Sequence, residues 1–160
     1  MKRILESGQF SNYREGVSLD SASMEVANLY KSYFGKTTVF ISHKHDDLED
    51  LSGLIGFLEK NYNVKAYIDS KDSSMPSVTS GVTASKIKER IRQCDKFILL
   101  ATDGAVESKW CNWELGYGDS QKFSSKDIAI LPLKRKGYSD SSYKGNEYMQ
   151  IYPYISFYEG

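Results

Sequence analysis

The sequence predicts an α/β fold: a parallel sheet covered by helices on both faces. Three observations carry this. Compact apolar runs recur at residues 37–41, 64–68, 97–101 and 128–133. Segments with helical periodicity lie between them. The runs do not alternate polar with apolar residues, as strands buried on both faces do not.

The elements follow in order. Residues 1 to about 20 are polar and aperiodic, and Met24, Ala27 and Tyr30 suggest a short helix over 21–33. Thr37, Thr38, Val39, Phe40 and Ile41 form a β-branched and aromatic run, which reads as a buried strand. Leu48, Leu51, Leu54, Ile55 and Leu58 then mark one face of a helix, with Asp46 or Asp47 placed to cap its first turn. Residues 64–68 read as a second strand. Residues 69–82 are a long loop rich in Ser, with Gly and Pro, and loops of that length inside a compact domain tend to be functional. A helix over about 83–93 turns Ile87 and Ile91 inward, and 97–101 is a third strand. Ser108 can cap a helix running to about Tyr117, 128–133 is a fourth strand, and a last strand lies near 152–157. Alternation of strand and helix gives a flavodoxin-like sheet. Ligands of such sheets bind outside the carboxyl ends of the strands. The segments 42–47, 69–82 and 102–109 all follow strands, so they converge on one edge.

Bulk properties narrow the function. The chain has 160 residues, the size of one domain, and equal numbers of acidic and basic side chains, 21 each. No charge surplus favours nucleic acid; the cluster Lys134, Arg135 and Lys136 reads as a solvated loop. Two distant cysteines, Cys94 and Cys111, fit reduced thiols better than a disulfide scaffold. The N-terminus lacks the apolar core of a signal peptide, and no run reaches the roughly 18 apolar residues of a membrane span. The expectation is a cytoplasmic protein with no membrane or nucleic-acid partner. Twelve tyrosines, six of them from Tyr138 onward, mark either an interface or a packed edge.

The chemistry concentrates in residues 108–117. Trp110 and Glu114 are four apart and share a helix face. A carboxylate beside an indole is drier than one in water, and its field on a nearby cation is stronger. Spacing alone favours a plainer reading, an aromatic helix packed on the sheet with Glu114 on its wet face.

Three motifs in order resemble a known family. Phe40, Ile41, Ser42 and His43 with Asp47 resemble the opening strand and loop of a Toll/interleukin-1 receptor (TIR) domain. Tyr67, Ile68 and Asp69, with the loop carrying Met75 and Pro76, are similar to that family's second strand and BB loop. Ser108, Trp110, Cys111 and Glu114 resemble the Ser-x-Trp-Cys-x-x-Glu helix of its NAD-cleaving members. The resemblance covers about residues 37–135. The terminal segments resemble extensions of bacterial stand-alone members, including those of antiphage systems such as Thoeris.

The resemblance implies a division into an N-terminal helical extension, 1–33, and a TIR domain, 34–160, with a tyrosine-rich tail. It implies an NAD⁺ nucleosidase with Glu114 catalytic and Ser42, His43, Lys44, Asp69 and Trp110 against substrate. NAD⁺ is then the substrate, with no further cofactor. The product is ADP-ribose or a cyclic or conjugated form of it, sensed by a downstream effector, and the loop 69–82 serves self-association. Asp47 is expected to cap its helix rather than touch substrate. Two departures stand out: His43 replaces the family's common Tyr, and Ser77 rather than Gly follows Pro76, which weakens an adaptor reading.

Other readings have less support. A non-enzymatic TIR scaffold would use the 69–82 loop and the tail tyrosines as contact surfaces. A phosphate-accepting receiver domain would use Asp103, but has no role for the aromatic helix. Zinc at His43 and His45 lacks ligand spacing. A Ser42–His43–Asp47 hydrolase lacks a nucleophile elbow. Cys111 reads as a packed thiol rather than a nucleophile. No glycine-rich dinucleotide fingerprint is present.

Overall fold

The computed structural model describes residues 1–19, 35–68 and 81–158. Four central strands form where the apolar runs lie: β3 (Thr37–Ser42), β4 (Val64–Tyr67), β5 (Lys96–Ala101) and β6 (Ile128–Lys134). Between them run α1 (Leu48–Asn61), α2 (Gly81–Gln93), α3 (Asp103–Glu107) and α4 (Lys109–Lys122). All central pairings are parallel, with Phe40 opposite both Tyr67 and Phe97, and Phe97 opposite Ile128.

Two short N-terminal strands complete the picture. β2 (Leu5–Glu6) joins the outer edge of β6, so the sheet order is β2-β6-β5-β3-β4. β1 (Lys2–Arg3) pairs antiparallel with β7 (Phe157–Tyr158), which ties the two ends of the chain together. This is the flavodoxin-like order, with an N-terminal strand in the fifth position. The N-terminal segment, polar and aperiodic as a sequence, thus supplies an edge strand and two buried apolar residues, Leu5 and Phe10. Two residues are too few to show a period.

The two faces sort by alternation along β3. Phe40 points to one core with Phe97, Leu99, Ile87, Ile91, Leu115 and Met149. Val39 and Ile41 point to the other, with Leu51, Leu54, Ile55, Ile98 and Leu100. Each face buries enough apolar side chains, at about 1.5–3 kcal/mol apiece, to hold its helices without help from helix propensity.

The N-terminal turn sits directly on α1. A Cβ at Gly53 would lie 2.7 Å from the Phe10 carbonyl oxygen, and one at Gly56 1.9 Å from that of Tyr13. The edge of β6 is closed by two separate segments. The Ile130 amide donates to Pro153 and the Ile155 amide to Ile130, while Leu5 and Glu6 pair opposite Leu133 and Lys134. Pro132, with no N–H to give, falls between them.

Several elements differ from expectation. α2 starts at Gly81, and α3 is an extra turn nucleated by Thr102, whose hydroxyl accepts the Ala105 amide at 3.1 Å. The expected last strand is reduced to a bridge between Tyr154 and Ile130 and the two-residue β7. The helix over 21–33, the boundary at residue 33 and the loop 69–80 lie outside the described residues. Among the described residues, no helix is long and apolar enough to cross a membrane.

Candidate active site

In this strand order the chain reverses its direction of winding between β3 and β5. Open α/β sheets bind ligands at that switch point. The loops that leave Ser42 and Ala101 form its walls here, and α4 lies across it.

Glu114 is wholly buried, contrary to the wet face that spacing alone favoured. The stripe of α4 that faces the sheet is Cys111, Glu114, Leu115, Gly118 and Lys122, at spacings of three, one, three and four. The carboxylate belongs to that stripe. Gly118 lets the helix approach: a Cβ there would lie 2.9 Å from the Phe97 ring. Ser108 sets where the helix begins, its hydroxyl accepting the Cys111 amide at 3.2 Å.

At the end of β3, the Ser42 hydroxyl donates to Glu114 Oε1 at 3.2 Å, with both residues fully buried. A carboxylate removed from water costs several kcal/mol unless donors compensate it, and Ser42 is such a donor. His43 is also buried, with Nδ1 3.2 Å from the Ile41 carbonyl oxygen; a contact with an acceptor makes Nδ1 the protonated nitrogen. Lys44 lies across the turn after β5, its stem over Gly104 and its Nζ 3.8 Å from Asp46.

Asp47 takes the N-cap position of α1 but makes no side-chain cap. Its carboxylate instead accepts the Thr102 hydroxyl at 2.5 Å, from the loop that leaves β5. Burial raises the Asp47 carboxyl above its usual range, with the Thr102 hydrogen bond opposing that rise. Ser42 and Asp47 hydrogen-bond different partners, Glu114 and Thr102, and His43 Nδ1 faces the Ile41 carbonyl. Asp103 is engaged by Arg135 at 3.1 Å.

One turn before Glu114, Trp110 packs half-buried against the core and stacks on the more exposed Trp113, with ring centroids 5.0 Å apart. Asn112 anchors this turn. Its Nδ2 donates to the Val106 and Ser108 carbonyls at 2.9 and 2.8 Å, and its Oδ1 accepts from Asn146 and from the Tyr148 hydroxyl. Further along, the Tyr152 hydroxyl donates to Asp119 at 2.6 Å. Part of the tyrosine-rich tail is thus a strap on the helix that carries Glu114, while Tyr138, Tyr154 and Tyr158 remain exposed.

Of the expected site residues, the fold brings Ser42 onto Glu114; His43 and Lys44 follow Ser42 in the same loop, and Trp110 stands one turn before Glu114 on α4. Asp69 and the loop with Met75 and Pro76 lie outside the described residues. Sequence reasoning missed Thr102, Gly104 and the Asn112 anchor; only Thr102, a capping residue at a strand end, left a readable signal. Among the described residues, no three His, Cys, Asp or Glu side chains gather as metal ligands. Both cysteines are buried, and burial pushes the Cys94 thiol up to about 12.

A five-stranded parallel sheet with a buried carboxylate helix across its switch point defines the class, and comparison agrees with it. Residues 39–160 match the TIR domain family, and the chain belongs to that family. Over 120 residues it is 33% identical to a Bacillus cereus (strain MSX-D12) protein named "Probable 3' cyclic ADP-D-ribose synthase ThsB'", covering 74% of this chain and 60% of that one. The chain spans about three-fifths of the length of that relative.

Proposed function

We propose that this TIR domain cleaves the nicotinamide–ribose bond of NAD⁺, with Glu114 as the catalytic carboxylate. The observation that carries the reading is the buried Ser42–Glu114 contact at the switch point. A fold that needed only assembly surfaces would gain nothing from a desolvated carboxylate, and burying one lowers stability.

The chemistry follows from charge. The C1″–N bond breaks with its electron pair going to the pyridinium nitrogen, so nicotinamide leaves neutral and needs no acid. Positive charge develops on the ribose. A preorganised carboxylate in a dry site stabilises that charge more strongly than water does. Trp110 supplies an apolar wall, Ser42 orients the carboxylate, and the loop bearing His43 and Lys44 holds the phosphate or adenine end, with Asp69 as a further substrate contact. The acceptor decides the product. Water gives ADP-ribose; a hydroxyl of the adenosine ribose, losing its proton as it bonds to C1″, gives a cyclic isomer. The relative's name favours the cyclic outcome. Such a product suits a cytoplasmic antiphage signal read by a separate effector.

The test is an NAD⁺ cleavage assay on purified protein across a range of concentrations, with products weighed by mass spectrometry. Nicotinamide release that disappears in Glu114→Ala is expected. Full activity in a folded Glu114→Ala protein sinks the mechanism. Rate per protomer that rises with concentration supports self-association through the 69–82 loop; a flat dependence argues that the monomer suffices.

A further inference from the structure

We propose that Gly104 is a positioning residue: its missing side chain seats the Lys44 stem across the exit of β5, so that the Lys44 ammonium meets the diphosphate of a dinucleotide. This rests on the NAD⁺ reading above and adds to it the residue that sets the phosphate contact.

The geometry carries the argument. A Cβ on Gly104 would fall 2.8 Å from Lys44 Cδ and 3.3 Å from Nζ, so Lys44 occupies the volume an alanine methyl would take. Outside its own helix, the three atoms nearest that position all belong to the Lys44 side chain, and Gly104 does not have a positive φ. The glycine is therefore not required by the turn. It stands second in α3 (Asp103–Glu107), where alanine is the better helix former. The feature it serves is the lysine above it.

Of the two cations at the end of β6, Lys134 is buried against Asp140 at 2.6 Å, and the exposed Arg135 meets Asp103 at 3.1 Å, a pair that contributes little. Lys44 meets Asp46 only at 3.8 Å, with both side chains well exposed; pairs of that kind contribute little. Lys44 also stands two residues after Ser42, which touches Glu114. In the proposed pose, with the ribose at Glu114, the diphosphate extends along the loop that carries Ser42 and Lys44.

The experiment compares ADP-ribose with adenosine, which lacks the diphosphate. Both are titrated by calorimetry into the full chain as wild type, Lys44→Ala, Gly104→Ala and the double variant. Lys44→Ala and Gly104→Ala are each expected to weaken ADP-ribose by about tenfold. The double variant is expected to be no weaker than Lys44→Ala, because Gly104 acts through Lys44. Adenosine affinity is expected to move much less than ADP-ribose affinity. Gly104→Ala should melt no lower than wild type, which separates its effect from misfolding.

An unchanged ADP-ribose affinity in Gly104→Ala overturns the proposal. So do fully additive effects in the double variant, an equal loss for adenosine, or no ADP-ribose binding by wild type. Nicotinamide release by wild type and Glu114→Ala, measured beside this, tests the enzymatic reading separately.

Discussion

At the terminal clasp, where β1 meets β7, Asp140 accepts the Ile4 amide at 3.1 Å and the buried Lys134 ammonium at 2.6 Å. That ammonium holds its carboxyl below the usual range. In the crevice, Asp47 and Glu114 meet hydroxyls instead, Thr102 and Ser42, and burial raises the Asp47 carboxyl. The difference separates two uses of charge. A carboxylate neutralised by its own lysine holds a fold together. A carboxylate oriented by a hydroxyl at the switch point stands where ligands of such sheets bind.

The largest test of this contrast is Glu114→Gln, which keeps the shape and removes the charge. Nicotinamide release is expected to fall by at least about a hundredfold, while the melting temperature holds, since the amide keeps the shape and can still accept from Ser42. A variant that loses both activity and stability would make Glu114 a structural group like Asp140, and the contrast would fail. Ser42→Ala comes next. It leaves the charge but removes its orienting donor. We expect kcat to drop by about tenfold with KM little changed; an unchanged kcat would show that other contacts hold Glu114.

Where the N-terminal turn packs on α1, Gly56→Ala should act on stability alone. Its methyl would strike the Tyr13 carbonyl, so the N-terminal turn must lift from α1. A loss of about 1–3 kcal/mol in denaturant unfolding is expected, with nicotinamide release per folded molecule within about twofold of wild type. A large loss of turnover in well-folded protein would mean that the N-terminal segment reaches the crevice.

Most of the fold was legible because its signals are local and repeated. The runs at 37–41 and 97–101 became β3 and β5, Ile87 and Ile91 face inward, and Ser108 caps α4. The edge strands were not legible: Lys2–Arg3 and Leu5–Glu6 owe their conformation to partners more than a hundred residues away. Glu114 was singled out by the family resemblance, against a Trp110 spacing that alone favoured a plainer reading, but it could not be placed. Helical periodicity allows it on either side of the stripe edge, and only the Ser42 contact with a distant strand settles that it is inside. Asp47 misled for a related reason. A cap is a local rule, and the Thr102 hydroxyl that overrode it arrives from 55 residues on.

The smallest effects, and the sharpest for the contrast, are in the pH dependence of stability. Asp140 has a folded pKa below its unfolded value. Its contribution is fully present above the unfolded value, about 4, and is lost as pH falls through the folded one. Asp140→Asn should therefore be less stable than wild type at neutral pH, with the gap closing in acid. Asp47 has the opposite sign. Its folded pKa is raised, chiefly by burial, so the ionised form is penalised in the native state at neutral pH. That penalty is relieved as pH falls through the raised value toward the unfolded one. Asp47→Asn, whose amide oxygen can still accept from Thr102, should be at least as stable as wild type at neutral pH and should lose that advantage in acid. Urea unfolding of the three proteins between pH 3.5 and 7.5 reads both slopes. Slopes of the same sign would mean that Asp47, like Asp140, is held in place for the fold, leaving Glu114 as the crevice's single carboxylate maintained against stability.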